Sequence, residues 1–436
     1  MQSKKAMGNS NNPTRKLSGK QLLRKVALIA IVISPLSLFY GLYLNLWKST
    51  PVPKTAWISW YDNPQNEVYV GWETDTPKSG IVFYGTEPDN MNLNETESIA
   101  TQFHTVNLTG LSADTKYYYR VEIDGKTHAA GQFKTAPSAY IPFSFGLTSD
   151  TQQKVGPGWH CHTAQIFDKK EYSFIAMPGD FVEDGDKYEW NDFFTQASTY
   201  LDTIPFVPVQ GNHDKPRDLD GDDTEEYYFA KYFPQTADTQ IDPFANNSYD
   251  VEKQFYFSFN WSSVHFQILH FPEIDIDDPG DPGGVNQKDY YRAFTPDHIA
   301  WLKQDLENAQ SMPFRVTLFH CPITSAAFYG PNFILKEQLL PILQEYNVTV
   351  TFHGHAHHFE RGTLVNETAY PDSPLTYFVV GCGGGLTDVG LRYVVPETDI
   401  AIASPCYTEG YATANTLTFT TFTFEGTKID EITFNA

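Results

Sequence analysis

The stretch FVPVQGNHD at residues 206–214 carries the pattern that decides the fold. An apolar run of strand character leads directly into a glycine and three side chains that can bind metal. The same arrangement, with one or two oxygen or imidazole groups after an apolar run, recurs at 149–152, 179–183, 319–322 and 354–357. Because reactive residues concentrate in the loops that follow rigid elements, these clusters are predicted to lie at strand ends.

Short strand-like runs alternate with helical stretches over residues 140–436. Strands are predicted at 143–148, 174–177, 206–209, 266–270, 315–319, 348–352 and 376–380. Helical apolar spacing occurs at 187–201, 296–309 and 335–346. Such alternation is typical of an α/β layered domain, and the Thr- and Phe-rich segment 416–434 is predicted to add its closing strands.

A second, smaller domain is predicted before this one, at residues 52–136. The chain has 436 residues, whereas a single core usually stops growing at about 250 to 300. Strand-like runs separated by turn signals at short intervals favour a β-sandwich here. The segment LTGLSADTKYYYRV at 108–121 resembles the tyrosine corner of fibronectin type III domains, in which a Tyr hydroxyl bonds to upstream backbone.

The charge distribution limits the possible partners. The formal net charge is −23 although the first 50 residues hold eight Lys or Arg and no acid, so the remainder is more acidic still. Such a surface repels nucleic acid, and no nucleic-acid-binding surface is expected. It also repels a phosphate substrate unless bound cations reverse the local field.

The five clusters contain the donors that transition metals prefer. Carboxylates suit hard divalent or trivalent ions and imidazoles suit Zn, Fe or Mn, and the clusters together hold enough donors for two ions. Glycines precede Asp180, Asn212 and His355, where they allow the backbone to turn sharply. A metal centre is therefore predicted.

The ordered clusters resemble the calcineurin-like metallophosphoesterase superfamily. That pattern is Asp, then Gly-Asp, then Gly-Asn-His-Asp/Glu, then His, then Gly-His-x-His, and this chain has all five in order. The continuation HAHHFER at 355–361 and the stretch VVGCGG at 379–384 are similar to purple acid phosphatases, as is a fibronectin-like domain before the catalytic one. The resemblance implies a four-layer α-β-β-α catalytic domain.

The resemblance also implies roles for individual residues. Asp180 is expected to bridge two metal ions, drawn from Fe, Zn or Mn. Asp150 and His357 would complete one site, whereas Asn212, His320 and His355 would complete the other. His213 is expected to hydrogen-bond the substrate phosphate or to protonate the leaving oxygen.

Two positions depart from the family pattern. Glu183 stands where purple enzymes have the tyrosine that gives their colour, so this protein is not expected to be purple. Glu183 either binds metal through its carboxylate or orients the residues that do. Gln152 stands where many superfamily members have a metal-binding His and purple ones a Gly, so that site either lacks one donor or uses the Gln152 amide oxygen.

The substrate contacts are less well defined by the sequence. The loop after His320 lacks the further histidines that plant-type members carry. Tyr329, with His160 or His162, either replaces them as a substrate contact or has an exposed structural role.

The function implied is hydrolysis of small phosphate monoesters outside the cell by a metal-bound hydroxide held between two ions. One alternative is a phosphodiesterase or nucleotide pyrophosphatase that uses the same metals. Another is a non-catalytic surface module for binding or adhesion. The sequence leaves the oligomeric state open.

The N-terminus predicts attachment to a membrane. Residues 1–25 form a basic tail, and the uncharged run 26–47 is long enough for a helix that spans a bilayer core. Positive charge before the span predicts that the N-terminus is cytoplasmic and the bulk of the chain extracellular. A cleaved signal peptide is the competing interpretation, although no small-x-small site follows the run.

Other features agree with export. Six Asn-x-Ser/Thr triplets, at Asn94, Asn107, Asn246, Asn260, Asn347 and Asn366, predict a glycoprotein. The four cysteines, Cys161, Cys321, Cys382 and Cys406, allow three pairings, of which we favour Cys382 with Cys406.

Overall fold

The computed structural model describes residues 52, 54–152, 160–168, 170–215, 227–234, 256–269, 294, 296–327, 330–366, 369–384 and 395–436. They belong to one compact unit, Pro51–Ala436. No helix within these ranges combines the length and the apolarity needed to cross a membrane. The predicted tail at 1–25 and the predicted span at 26–47 lie outside the described residues.

The first seven strands form two sheets of a β-sandwich. One sheet has the order β1 (Ala56–Ser59), β2 (Glu67–Lys78), β5 (Thr101–Thr109); the other has the order β4 (Leu93–Thr96), β3 (Gly80–Gly85), β6 (Lys116–Ile123), β7 (Lys126–Lys134). Alternate residues of β6 are buried, as a half-buried strand requires. The hydroxyl of Tyr117 accepts a hydrogen bond of 3.0 Å from the amide of Ser112, which is the upstream bond that the tyrosine-corner resemblance predicts.

The later strands form two larger sheets. In the described residues, one has the order β10 (Phe206–Pro208), β9 (Ile175–Met177), β8 (Phe143–Leu147), β18 (Cys406–Ala412), β19 (Thr416–Thr423), β20 (Lys428–Asn435). The other has the order β11 (Phe257–Trp261), β12 (Val264–Ile268), β13 (Phe314–Leu318), β14 (Val350–His353), β16 (Tyr370–Val380), β15 (Phe359–Asn366), β17 (Thr398–Ile402). The strands β8, β9 and β10 are parallel, as are β12, β13, β14 and β16.

These two sheets pack face to face through aromatic side chains. The ring of Phe145 on β8 lies 5.2 Å from that of Phe266 on β12, and the ring of Phe352 on β14 lies 4.8 Å from that of Phe419 on β19. All four are buried, so the inner layer between the sheets is the main apolar core.

Helices cover the outer face of each sheet. The helices are α1 (His160–Phe167), α2 (Lys187–Ala197), α3 (Tyr228–Tyr232), α4 (Pro296–Asn308), α5 (Phe333–Gln338) and α6 (Leu340–Glu345). Side chains of α1, α2 and α3 share one buried cluster with β9 and β10, and those of α4, α5 and α6 share another with β16. The layers therefore run α-β-β-α, as the resemblance implies.

The prediction of a single helix at 335–346 is wrong. The structure has two short helices, α5 and α6, which are separated at Leu339. Pro341 lies in the first turn of the second helix. In a helix interior proline has no amide hydrogen to donate and its ring clashes with the carbonyl four residues earlier, so one continuous helix is disfavoured here. The apolar spacing continues through the break, so the spacing alone did not reveal that the helix is interrupted.

A disulfide joins the two large sheets. Cys382, just after β16, is bonded to Cys406, the first residue of β18, as favoured from the sequence. Cys321 is buried and is not part of this disulfide.

The sandwich is tied to the helices on the side of β9 and β10. The indole Nε1 of Trp57 donates to the carbonyl of Tyr232 on α3 at 3.2 Å. Lys187 at the start of α2 forms an ion pair with Glu73, which is 3% exposed, and donates to the Tyr232 hydroxyl at 2.6 Å. The start of α2 and the short helix α3 are therefore held by the sandwich.

Candidate metal centre

Two groups of donor side chains share one carboxylate. Asp180, His320 and His355 form the first group, and Asp150, Asp180 and His357 form the second. Within each group the donor atoms lie within 4.8 Å of one another, and all but His357 are buried. The shared position of Asp180 is that of a residue able to bridge two ions.

The topology explains why residues so far apart in sequence meet. Asp150 and Asp180 follow β8 and β9, and Asn212 follows β10 by a short turn. His320 and His355 follow β13 and β14 of the facing sheet. Because parallel strands present their carboxyl ends at one edge, both sheets deliver their loops to a common crevice.

The backbone turns sharply at three of these positions. Asp150, Asp180 and His355 have φ values of 58°, 57° and 68°, in the left-handed region that non-glycine residues rarely occupy. Each such residue costs of the order of 1 to 3 kcal/mol and persists only where its surroundings hold it. Asp150 is held by its carboxylate, which accepts the amide of His355 at 2.8 and 3.0 Å.

Two glycines are required by close packing at the site. A β-carbon at Gly211 would overlap the carboxylate of Asp180, and one at Gly354 would overlap that of Asp150. Because glycine has no β-carbon, both loops can approach these carboxylates closely.

Asp180 sits between the two halves of the site. Its Oδ2 lies 3.2 Å from the Nε2 of His320, and its Oδ1 accepts the amide of His213 at 2.9 Å. Burial alone would raise the pKa of Asp180, but the neighbouring His320 and His213 outweigh it and hold that pKa below its usual range. The carboxylate is therefore ionised, as metal binding requires.

Asn212 lies beside the first donor group. Its Oδ1 lies 3.1 Å from the Nε2 of His320 and 3.0 Å from the Nδ1 of His355. The Nδ1 of His320 lies 2.6 Å from the carbonyl of Pro178, which assigns the proton to Nδ1. The unprotonated Nε2 is then the atom able to bind a metal ion. Burial lowers the pKa of His355 well below its ordinary value, so its imidazole is neutral.

Asp214 is a residue whose role the sequence did not reveal. Its carboxylate is fully buried and accepts the amides of Asp180 at 2.9 Å, Phe181 at 2.7 Å and Gly211 at 2.8 Å. One side chain thus holds the loop after β9 and the loop after β10 together. Only its place after Gly-Asn-His could have drawn attention to it.

The imidazole of His213 contacts the backbone of Glu183. The Nδ1 of His213 lies 2.6 Å from the carbonyl of Glu183, which fixes the orientation of the imidazole beside Asp180. The amide of Glu183 bonds to Glu189 at 3.0 Å. Neither donor group of the described residues includes the Glu183 carboxylate.

Gln152 lies beside the second donor group. Its amide nitrogen is 3.2 Å from the Oδ2 of Asp180 and 3.1 Å from the Nε2 of His357. The side chains of His160 and His162, and the whole of Tyr329, lie outside the described residues.

The donor set fits a pair of metal ions. Carboxylate, amide and imidazole atoms converge in two groups with an ionised carboxylate between them, and a neutral imidazole is available in the first group.

Comparison with known proteins gives two family matches. Residues 143–359 match the model of the calcineurin-like phosphoesterase, and residues 53–135 match that of the purple acid phosphatase N-terminal domain. The family uses binuclear centres of Fe, Zn or Mn.

Relatives and solved structures agree with these matches. "Purple acid phosphatase 21" of Arabidopsis thaliana is 25% identical over 348 residues, which cover 75% of this chain and 70% of that protein. "Purple acid phosphatase 18" of the same plant is 25% identical over 371 residues, covering 81% and 76%. The structure of a purple acid phosphatase from yellow lupin (Lupinus luteus) seeds has a TM-score of 0.64 at 15% identity, covering 88% of this chain and 74% of that one. The structure of PhoD has a TM-score of 0.65 at 12% identity, covering 88% and 92%.

Proposed function

The chain is a purple acid phosphatase-like member of the calcineurin-like phosphoesterase family, a phosphoric ester hydrolase, and on that basis we propose that it hydrolyses small phosphate monoesters at a binuclear metal centre outside the cell. The observation that carries the proposal is the pair of donor groups that share Asp180. We assign Asp150 and His357 to one ion, and Asn212, His320 and His355 to the other. We also propose domains at 52–136 and 140–436.

Two ions bound there would supply Lewis acidity toward the phosphoryl oxygens and lower the pKa of a water. The positive charge would also offset the repulsion between phosphate and an acidic chain. Asp180 belongs to both donor groups, and its Oδ2 lies 3.2 Å from the Nε2 of His320 and 3.2 Å from the amide nitrogen of Gln152.

His213 is proposed to contact the substrate. Its imidazole is held beside Asp180 by the carbonyl of Glu183, so the ring keeps one orientation. From that position it would donate a hydrogen bond to the phosphate or a proton to the leaving oxygen. Glu183 has a supporting role in this arrangement because its carbonyl orients the ring.

The extracellular location rests on two features. The disulfide between Cys382 and Cys406 is of a kind that persists in oxidising compartments. The uncharged run at 26–47 with its basic flank is proposed to anchor the chain with the N-terminus inside.

The test combines metal content with substrate preference. Elemental analysis of the purified full chain should give about two metal equivalents, as a two-ion centre requires. Hydrolysis of para-nitrophenyl phosphate should exceed that of bis-para-nitrophenyl phosphate at equal concentration. A faster diester reaction would favour the phosphodiesterase alternative. Absence of both metal and turnover after reconstitution would refute the proposal and favour a binding or adhesion module.

The role of His213 is tested separately. His213→Ala should retain both metals and lose turnover by about 100-fold or more, the range expected for a general acid. His128→Ala is the matched control, because His128 is a partly exposed histidine of the sandwich. Turnover of His213→Ala within twofold of the parent would remove His213 from the reaction.

A further inference from the structure

We propose that Gln152 gives its side-chain amide oxygen to the cation held by Asp150, Asp180 and His357, and that this donor set takes a divalent ion. The inference rests on the proposed binuclear centre and adds a donor to one of its two sites.

The position of the amide is that of a metal ligand. Ligands about 2.1 Å from a cation lie roughly 3.0 Å apart at neighbouring octahedral positions and roughly 3.4 Å apart at tetrahedral ones. The Oδ1 of Asp150 and the Nε2 of His357 are 3.4 Å apart. The amide end of Gln152 is 3.2 Å from Asp180 and 3.1 Å from His357, which is the same spacing.

The surroundings of the amide give a second reason. Gln152 is 2% exposed, and its Oε1 is buried without a hydrogen-bond partner in the described part of the chain. A buried acceptor without a partner is costly, and rotating the amide by half a turn exchanges two atoms of nearly equal shape. Without a cation, the amide nitrogen faces the acceptors of Asp180 and His357. With a cation among them, the oxygen takes that place.

The composition of the donor set favours a divalent ion. It consists of two carboxylates, one of them shared, with one imidazole and one neutral amide. Carboxylate and carbonyl oxygens suit Mn²⁺, Mg²⁺ and Ca²⁺, and no phenolate or thiolate is present in the described group to compensate a third positive charge. Position 183, where a purple enzyme has its tyrosine, holds a glutamate that neither donor group includes.

The experiment is a Mn²⁺ titration of the chelator-stripped full chain, with free Mn²⁺ followed by electron paramagnetic resonance. The parent should bind two ions. Gln152→Leu, which is similar in size without a donor, should weaken one site by about 10-fold or more, as expected when a group that supports a metal site is removed, and leave the other within threefold. Gln152→Glu should bind the cation at that site more tightly than the parent does, because it supplies an oxygen ligand that carries a negative charge.

The control is Gln344→Leu, which removes another buried glutamine, on α6, that lies outside both donor groups. It should leave both affinities unchanged. The visible spectrum of Co²⁺ bound to one site should differ between the parent and the Gln152 variants, since it reports the ligands directly.

If Gln152→Leu binds both Mn²⁺ ions with the affinities of the parent, the inference is overturned. If that variant fails to fold, Gln152→Glu with unchanged affinity and unchanged Co²⁺ bands would overturn it equally. If the site of Asp150, Asp180 and His357 in the parent protein retains Fe³⁺ during dialysis against Mn²⁺, the divalent assignment is overturned. A parent that binds no metal would refute the proposed function itself, which is a separate result.

Discussion

Replacing Asp214 by asparagine should destabilise the protein strongly although the two side chains have the same shape. The carboxylate accepts the amides of Asp180 and Gly211 on one oxygen and that of Phe181 on the other. An asparagine has one oxygen only, so one or two of these buried amides would face an NH₂ group. Each buried donor left unsatisfied costs about 1 to 3 kcal/mol, so the loss of one or two acceptors should lower the free energy of unfolding by about 1 to 6 kcal/mol.

The loss should also reach the metal centre. Asp180 and Asn212 lie on the two loops that Asp214 holds together, so the apo-protein variant should bind Mn²⁺ more weakly at both sites. Urea denaturation gives the stability, and a titration of the folded variant gives the affinity. Asp114→Asn is the control, because Asp114 is a surface residue at a positive φ of 53° that asparagine tolerates. It should stay within about 0.5 kcal/mol of the parent. If Asp214→Asn unfolds within 1 kcal/mol of the parent, the carboxylate does not hold these loops.

Three other outcomes are expected. Asp180→Ala should abolish metal binding at both sites together with turnover, and an active variant would rule out a bridging role. Asp305→Asn should lower the free energy of unfolding by about 1 to 3 kcal/mol at pH 7, because it replaces the charged acceptor in a partly buried hydrogen bond of 2.9 Å with the Nε2 of His265. Burial would raise the pKa of Asp305, but the hydrogen bonds from His265, Ser258 and Gln267 and the electrostatic attraction of His265 together outweigh it and lower that pKa, so the contribution is present above the unfolded-state pKa. The gap between parent and variant in urea denaturation should therefore narrow as pH falls below about 4, and a constant gap would contradict this. Replacing both Cys382 and Cys406 by serine should lower stability by about 3 to 4 kcal/mol, measured by urea denaturation, because the cross-link restricts the unfolded chain; no change would show that the disulfide is dispensable.

The sequence by itself determined the elements that carry the site. Apolar runs of strand length identified β8, β9, β10, β13 and β14 within a few residues, because burial on both faces requires continuous apolar side chains. The polar residues directly after those runs include every member of the two donor groups. Order and spacing along the chain are local properties, so the sequence displays them.

Only the tertiary structure decided which side chains converge. Gln152 and His357 are 205 positions apart, yet the amide nitrogen of Gln152 lies 3.1 Å from the Nε2 of His357, because two sheets bring their loops to one edge. Glu183 follows Asp180 closely in sequence, but its carboxylate belongs to neither donor group of the described residues. The partners of Asp214 are backbone amides, which have no residue-specific signature. Side-chain direction and backbone hydrogen bonding depend on how the loops pack against one another, and this information is not contained in the spacing of residues.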